Sequence, residues 1–275
     1  MAAEDYEATS ERMTEDSYQS SAGDHLIYLL HVATYDWAAK QAAGARVLDY
    51  GTGTGYGAAR MAPSAASVVG VDVSEDAVRY ARGRYSADNL SFERIAPVEE
   101  TPLPFPDDSF DVVTSFQVIE HVPSAPAYLA EARRVLKPGG TLLCVTPDRA
   151  TRLFPKQRPW NVWHLHEFTP EELTGLVSAA GFDVQETLGM SAPADVIALE
   201  INRCRKLRIA AYPFTFPGAP EAWRTRGLHA LKKLDGAASA ATSPSAPQDF
   251  GFGLDDIEIS ATAAPSVNVV VVARA

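Results

Sequence analysis

The run Val47-Leu48-Asp49-Tyr50-Gly51-Thr52-Gly53-Thr54-Gly55-Tyr56-Gly57 constrains this chain more than any other stretch in it. Apolar residues give way to an acid, then to glycines at every second position, then to a helical pattern. This reads as a buried strand emptying into a turn where backbone must approach a ligand closely, because glycine tolerates positive φ and has no Cβ to block the approach. Such a turn belongs at the carboxyl end of the first strand of an open α/β sheet, the edge where these sheets bind nucleotides.

Two nucleotide classes compete for that turn. Dinucleotide folds use G-x-G-x-x-G/A, which Gly53-Thr54-Gly55-Tyr56-Gly57-Ala58 fits loosely. The spacing Asp49-x-Gly51-x-Gly53-x-Gly55 instead sets a carboxylate at the mouth of the turn, where it repels a pyrophosphate and suits an ammonium. Residues 68–74 then read as a second strand ending in Asp72, whose carboxylate can accept from both ribose hydroxyls, followed by a helix over 75–84. A third strand is expected at 90–95. The run Phe110-Asp111-Val112-Val113 through Glu120-His121-Val122 and the run Arg134-Val135-Leu136-Lys137-Pro138-Gly139-Gly140 read as a fourth strand, a helix and the entry to a fifth strand at 141–145.

In this order and at these separations the motifs resemble the class I S-adenosylmethionine-dependent methyltransferases; an NAD dehydrogenase is a distant second. The resemblance covers about 46–188 plus the final strand. It implies an α/β, Rossmann-like, seven-stranded sheet with its last strand antiparallel, here carrying an N-terminal helical cap and a helical insertion before the last strand. It also implies S-adenosyl-L-methionine as cofactor. Asp49, Gly51, Gly53 and Gly55 would hold the methionine moiety, Asp72 the ribose, and Val73 would pack on adenine. Gln117 and Val118 would offer backbone to the cofactor. Val98 would lie near adenine, in a loop where Pro97 replaces the acid usual in the family.

The chain divides into a helical cap at 1–44, a cofactor-binding core at 45–190, an insertion at 191–266 and a final core strand at 267–275. The cap turns helical near His25, with Leu26, Leu29, Leu30 and Trp37 on one face. Thr169-Pro170-Glu171-Glu172 marks a helix start with a capping box, leading to a sixth strand at 182–188. The insertion holds two expected helices, at 195–212 and 219–234, and a Ser/Ala/Pro/Gly loop at 236–253. It is read as a lid over the substrate, preferred to a dimer-forming arm. The β-branched run Val267-Asn268-Val269-Val270-Val271-Val272 suits a buried last strand.

Composition excludes several partners. The net charge of −11 argues against nucleic acid or an anionic membrane surface, which require clustered Lys and Arg. No signal peptide or bilayer-spanning run is expected, and the protein is read as cytoplasmic. Cys144 and Cys204 match neither a disulfide framework nor a zinc pattern, and Cys144 reads as a small buried hydrophobe.

Methyl transfer from a sulfonium chiefly requires alignment of nucleophile, methyl carbon and sulfur. A hydroxyl acceptor adds the need for a base within hydrogen-bond reach. His121, following strand four, is the candidate base, or else it packs against the helix entry near Pro123. Glu120 is set to orient that imidazole, to bind acceptor hydroxyls, or to be solvated. Trp160, Trp163, His164, His166 and Glu167 form a second cluster and are assigned to the acceptor, since a flat apolar face beside directional polar groups suits a sugar ring. His164 and His166 would share one side of an extended strand. A divalent ion shared by His121, His164 or His166 and a carboxylate is the lesser reading, and no metal ligand is assigned.

The segment from Asn161 to Leu173, with Glu11-Arg12-Met13 and His25, is similar to methyltransferases of sugar and glycan pathways. The expected function is therefore O-methylation of a sugar or glycan hydroxyl, on a small-molecule or oligosaccharide acceptor. O-methylation of a quinone or natural-product phenol is the alternative, kept alive by Tyr212-Pro213-Phe214-Thr215-Phe216. A non-catalytic adenosylmethionine-binding subunit is a third.

Overall fold

The computed structural model describes residues 21–240 and 249–275. Helix α1 (Ala22–Gln41) begins at Ser21, whose hydroxyl accepts from the Asp24 amide. Strand β1 (Arg46–Tyr50), helix α2 (Tyr56–Met61), strand β2 (Ser67–Asp72), helix α3 (Glu75–Arg84) and strand β3 (Leu90–Arg94) follow as alternating units. They continue through β4 (Phe110–Phe116), α4 (Ala125–Val135), β5 (Leu136–Pro147), the short α5 (Arg149–Arg152), α6 (Pro170–Ala179) and β6 (Asp183–Ser191). The chain ends with α7 (Ala194–Thr215), α8 (Glu221–Ala240), β7 (Glu258–Ser260) and β8 (Asn268–Arg274). The capping box expected at α6 is formed: Thr169 accepts from the Glu172 amide while the Glu172 side chain accepts from the Thr169 amide.

The sheet order is β3-β2-β1-β4-β5-β8-β6-β7. Strands β1 to β5 pair in parallel, and β8 runs antiparallel between β5 and β6. Period-two alternation divides each strand between two helical layers. Val47, Val68, Val145 and Val270 join the core under α1, α2 and α7, whereas Leu48, Val71, Leu142 and Val271 join the core under α4 and α6. Burial on both faces explains the unbroken apolar run Val269-Val270-Val271-Val272-Ala273 of β8.

The expected seven strands become eight among the described residues. Glu258, Ile259 and Ser260 of the insertion pair antiparallel with Ser191, Met190 and Gly189 of β6 and extend the sheet by one edge strand. Three residues are too short for a legible alternation. Both insertion helices exist. The loop expected at 236–253 is helical as far as Ala240 and irregular at 249–253, and its part at 241–248 lies outside the described residues. So do Glu11, Arg12 and Met13.

The insertion expected as a lid is described except for 241–248. No residue of 191–266 is found among the described residues that line the cofactor cavity. Helix α7 packs on α1 and α5, and α8 packs on α7. From there the insertion grips the 157–165 segment from behind. Gln157 donates to the Arg208 carbonyl at 2.9 Å and to Thr215 Oγ1 at 2.8 Å, and Arg158 donates to the Ala219 carbonyl at 3.0 Å. The buried Arg224 guanidinium donates to the carbonyls of Pro159 and Asn161 at 3.1 Å and of His164 at 3.4 Å. These residues buttress one wall of the site and do not close over it. No helix among the described residues is long and apolar enough to cross a membrane.

Candidate functional site

A cavity of about 550 Å³ opens over the carboxyl ends of β1, β2 and β4, within the size range of small-ligand sites. Its floor is the glycine turn. Gly51 has φ +96°, and a Cβ there would overlap the Val118 side chain, so the turn and the end of β4 meet only because Gly51 has none. Gly53, Asp72, Val73, Val98, Gln117 and Val118 all line the cavity, as assigned from the sequence.

Gly55 does not. It caps α2 with φ +83°, and a Cβ would fall 2.6 Å from the Ala81 Cβ and 2.7 Å from the Phe92 ring. Gly55 therefore packs α2 against α3 and β3 and leaves ligand contact to its neighbours. Tyr35 and His31 of α1 line the cavity and were not singled out in the sequence. Their apolar neighbours made α1 read only as a covering face.

The acids are held in different ways. Asp72 accepts from the Gly53 amide at 3.0 Å and the Ser74 amide at 2.8 Å, which ties the second strand end to the glycine turn. A carboxylate offers about four acceptor sites, so holding the turn is compatible with holding a diol. Asp49 lies just beneath the cavity lining and is 1% exposed. Its Oδ1 accepts from Thr114 at 2.8 Å, and its Oδ2 has no hydrogen-bond partner among the described residues. Burial pushes its pKa up to about 6. A cationic ligand head above Asp49 would relieve that desolvation. Val73 is 48% exposed at the cavity wall, a large apolar surface that a flat ring would cover.

At the other end of the cavity sits His121. Its Nδ1 is 3.1 Å from the Trp163 carbonyl oxygen, which can only accept, so Nδ1 carries the proton and Nε2 the lone pair. The imidazole is thus oriented by the Trp163 backbone. Glu120 is not solvated. It is 1% exposed, lies outside the cavity lining and accepts from Thr146 Oγ1 at 2.9 Å, and burial pushes its pKa up to about 8.

The second cluster divides. Trp163 lines the cavity with 51% of its surface exposed. The 160–167 segment is an irregular loop, so the expected strand geometry of the two histidines fails. His164 turns inward, its ring centroid 4.8 Å from that of His121. His166 turns outward against Phe168, away from the cavity. Trp160 lies under the Arg152 guanidinium at 4.3 Å and does not reach the cavity. Glu167 is buried between His164 Nδ1 at 2.8 Å and Arg152 Nε at 3.0 Å. Burial alone would raise its pKa, but the Arg152 charge and the His164 hydrogen bond hold it down to about 2. Burial lowers the His164 pKa to about 4. Glu167 is a structural anion that orients His164, and its assignment to the acceptor is corrected, as are those of Trp160, His166 and His164, the last being 5% exposed and outside the cavity lining.

An acid beneath a glycine turn, a second acid at the next strand end and a lining with no Lys or Arg among the described residues suit a nucleoside bearing a cationic head. Comparison with known proteins agrees. A family profile described as "Methyltransferase domain" matches residues 25–187, more than half of the chain. The chain belongs to this methyltransferase-domain family.

A Mycolicibacterium smegmatis protein named a probable S-adenosylmethionine-dependent methyltransferase is 39% identical over 62% of this chain and 64% of its own length. A ubiquinone biosynthesis O-methyltransferase of Dinoroseobacter shibae is 34% identical over 54% of this chain and 63% of its own length. The chain thus spans less than two thirds of either relative. Among solved structures, a SAM-dependent methyltransferase of Thermotoga maritima superposes with TM-score 0.55 at 19% identity, covering 90% of this chain and 91% of that one. The cyclase SpnF superposes with TM-score 0.54 at 20% identity over 87% of this chain and 79% of its own. At such identities the likeness shows the fold, and the cyclase is a reminder that chemistry has to be argued from the site.

Proposed function

We propose that this protein transfers the methyl group of S-adenosylmethionine to a hydroxyl on a ring acceptor. The observation that carries this reading is the pairing, in one cavity, of a cofactor end built from Asp72, Val73 and the Gly51–Gly53 turn with an acceptor end built from His121 and Trp163. The amino group of the cofactor's methionine end would lie over the turn above Asp49. The adenine would cover Val73 and Val98. The sulfonium would then face His121, whose Nε2, the ring nitrogen without the proton, would take the hydroxyl proton as oxygen attacks the methyl carbon.

Two acceptor classes have support. A phenol or quinone precursor is favoured by the apolar acceptor end, where Val118, Val122 and Pro123 flank His121, and by relatives named as ubiquinone biosynthesis O-methyltransferases. A phenol with a pKa near 10 also asks little of an imidazole base. A sugar or glycan hydroxyl is favoured by the exposed Trp163 indole, a flat platform for a pyranose face. The phenolic reading is the stronger, because a less acidic sugar hydroxyl would call for more than one polar partner at that end. The retained His121 speaks against a non-catalytic subunit. Labelled S-adenosylmethionine offered with catechols, hydroquinones and free or nucleotide-linked sugars tests the reading. Methylated phenols support it, methylated sugars alone reverse the order of the two classes, and no O-methyl product from either removes it.

A further inference from the structure

Nine large hydrophobic side chains are exposed among the described residues. Five of them, Leu199, Ile209, Tyr212, Phe216 and Trp223, belong to α7, its C-cap or α8. Spacing explains why α7 has two faces. Ile197, Cys204, Ala211 and Thr215 recur at helical intervals and are buried against the protein. Leu199, Lys206, Ile209 and Pro213 recur on the opposite side and are all exposed, and Phe216 continues the stripe past the last turn.

The charge around this stripe gives it meaning. Residues 194–232 hold seven Lys and Arg against three Asp and Glu, in a chain with a net charge of −11. The three acids do not cancel the cations of the exposed face. Glu200 is buried and bonded to Arg203, and Glu221 is engaged by Arg158 and Arg224. Asp195 stands in the first turn of α7, about 15 Å along the axis from Arg205 at the rise of an α-helix. Arg205, Lys206 and Arg226 are exposed and have no ion-pair partner among the described residues. Arg205 and Lys206 lie within one turn of Ile209, and Arg226 lies within one turn of Trp223.

Large apolar residues interleaved with cations on one convex helix surface suit a lipid interface. Rings and branched chains enter the headgroup layer there, while the cations meet phosphates. A protein partner fits less well, since specific interfaces are shape-matched and their cores are poor in Lys. A second copy related by two-fold symmetry would set like charges against each other. The net charge of the whole chain, which argues against an anionic membrane, acts at long range and is screened beyond about 8 Å at physiological salt. At contact the local face decides. We infer that the exposed stripe of α7, with the N-terminal turns of α8, docks peripherally on an anionic lipid bilayer.

Docking there would hold the acceptor end of the cavity near the lipid. Trp223 is followed by Arg224, whose guanidinium holds the carbonyls of Pro159, Asn161 and His164. Trp163 and Leu165 in that segment are themselves more than half exposed. Resting on the methyl-transfer reading, the acceptor class served from this position is a phenol anchored in the bilayer by an apolar tail.

The test is sedimentation of the full chain with vesicles of phosphatidylcholine alone and of phosphatidylcholine mixed with phosphatidylglycerol. Binding is expected on the mixed vesicles, weakening as salt rises, and is expected to be slight on the neutral ones. Arg205→Gln and Lys206→Gln together should lower vesicle affinity about thirtyfold while leaving affinity for S-adenosylhomocysteine within about twofold. Binding should also shift tryptophan emission to the blue, and Trp223→Phe should remove most of that shift. No binding to mixed vesicles at low salt, or binding that survives the double substitution in folded protein, overturns the inference. Self-association abolished by Ile209→Asn, without vesicle binding, overturns it in favour of an interface between copies. Methyl transfer to tailed phenols that is no faster on mixed vesicles overturns the acceptor class alone. Vesicle binding without methyl transfer to any phenol spares the docking and removes the proposed function, and methyl transfer without vesicle binding does the reverse.

Discussion

Replacing Asp49 by Asn should make the pH dependence of stability visibly different, because Asp49 is a buried acid with an unengaged oxygen. Its pKa is 3.8 in an ordinary setting and about 6 in the fold. Between those values the folded state holds a proton that the unfolded state has released, so stability falls as pH rises from 3.8 to 6 and is flat above. A displacement of about two units corresponds to about 3 kcal/mol at pH 7. Integration of the two titrations places about 2 kcal/mol of that between pH 4.5 and 7.5. Asn cannot ionise, so Asp49→Asn should gain about 2 kcal/mol on the parent protein between pH 4.5 and 7.5. Any fixed cost of an unsatisfied amide N–H is the same at both pH values and cancels in the comparison. Urea unfolding followed by circular dichroism, without cofactor, measures this directly. The same substitution should weaken S-adenosylhomocysteine binding, since the charge that offsets the ammonium is lost. Parallel stability curves for the two proteins across this pH range would refute the reasoning.

Four further outcomes follow from the geometry. Val73→Ser should leave stability without ligand within about 0.5 kcal/mol and lower S-adenosylhomocysteine affinity several-fold in a calorimetric titration, because its exposed surface is apolar contact reserved for a ring. Gly55→Ala should cost about 2–4 kcal/mol in denaturant unfolding, from positive φ and overlap with Ala81 and Phe92. Gly53→Ala has open space for its Cβ and should cost less stability than Gly55→Ala but more cofactor affinity. Arg224→Met removes the donor that holds three backbone carbonyls of the acceptor loop. Stability should drop by about 2–3 kcal/mol, amide exchange in 157–166 should quicken, and the KM for the acceptor should rise with that for the cofactor unchanged.

What the sequence disclosed was local. The turn after β1, the acid ending β2 and the capping box at Thr169 are each written within a few consecutive residues, and each formed as read. Gly51, Gly53 and Gly55 look equivalent in a spacing pattern, yet only the packing of α3 and β3 shows that Gly55 serves the core. The acceptor cluster was misread where an extended strand was assumed, because the loop's path is set by remote carbonyl contacts from Arg224. The convergence of His164 on Glu120 and His121 depends on that path too. No periodicity carries such information. The two insertion helices were legible from their pattern, but not the docking of α7 on α1 and α5 and of α8 on α7, which sets them behind the 157–165 segment.

The most direct measurement is a calorimetric titration of the protein and of Asp72→Ala with S-adenosylhomocysteine and with NAD. A site in which the glycine turn and the β2 carboxylate grip the cofactor predicts saturable heat from S-adenosylhomocysteine, a marked loss of affinity in folded Asp72→Ala, and no response to NAD. Saturable heat from NAD with none from S-adenosylhomocysteine, or affinity indifferent to Asp72, would contradict it.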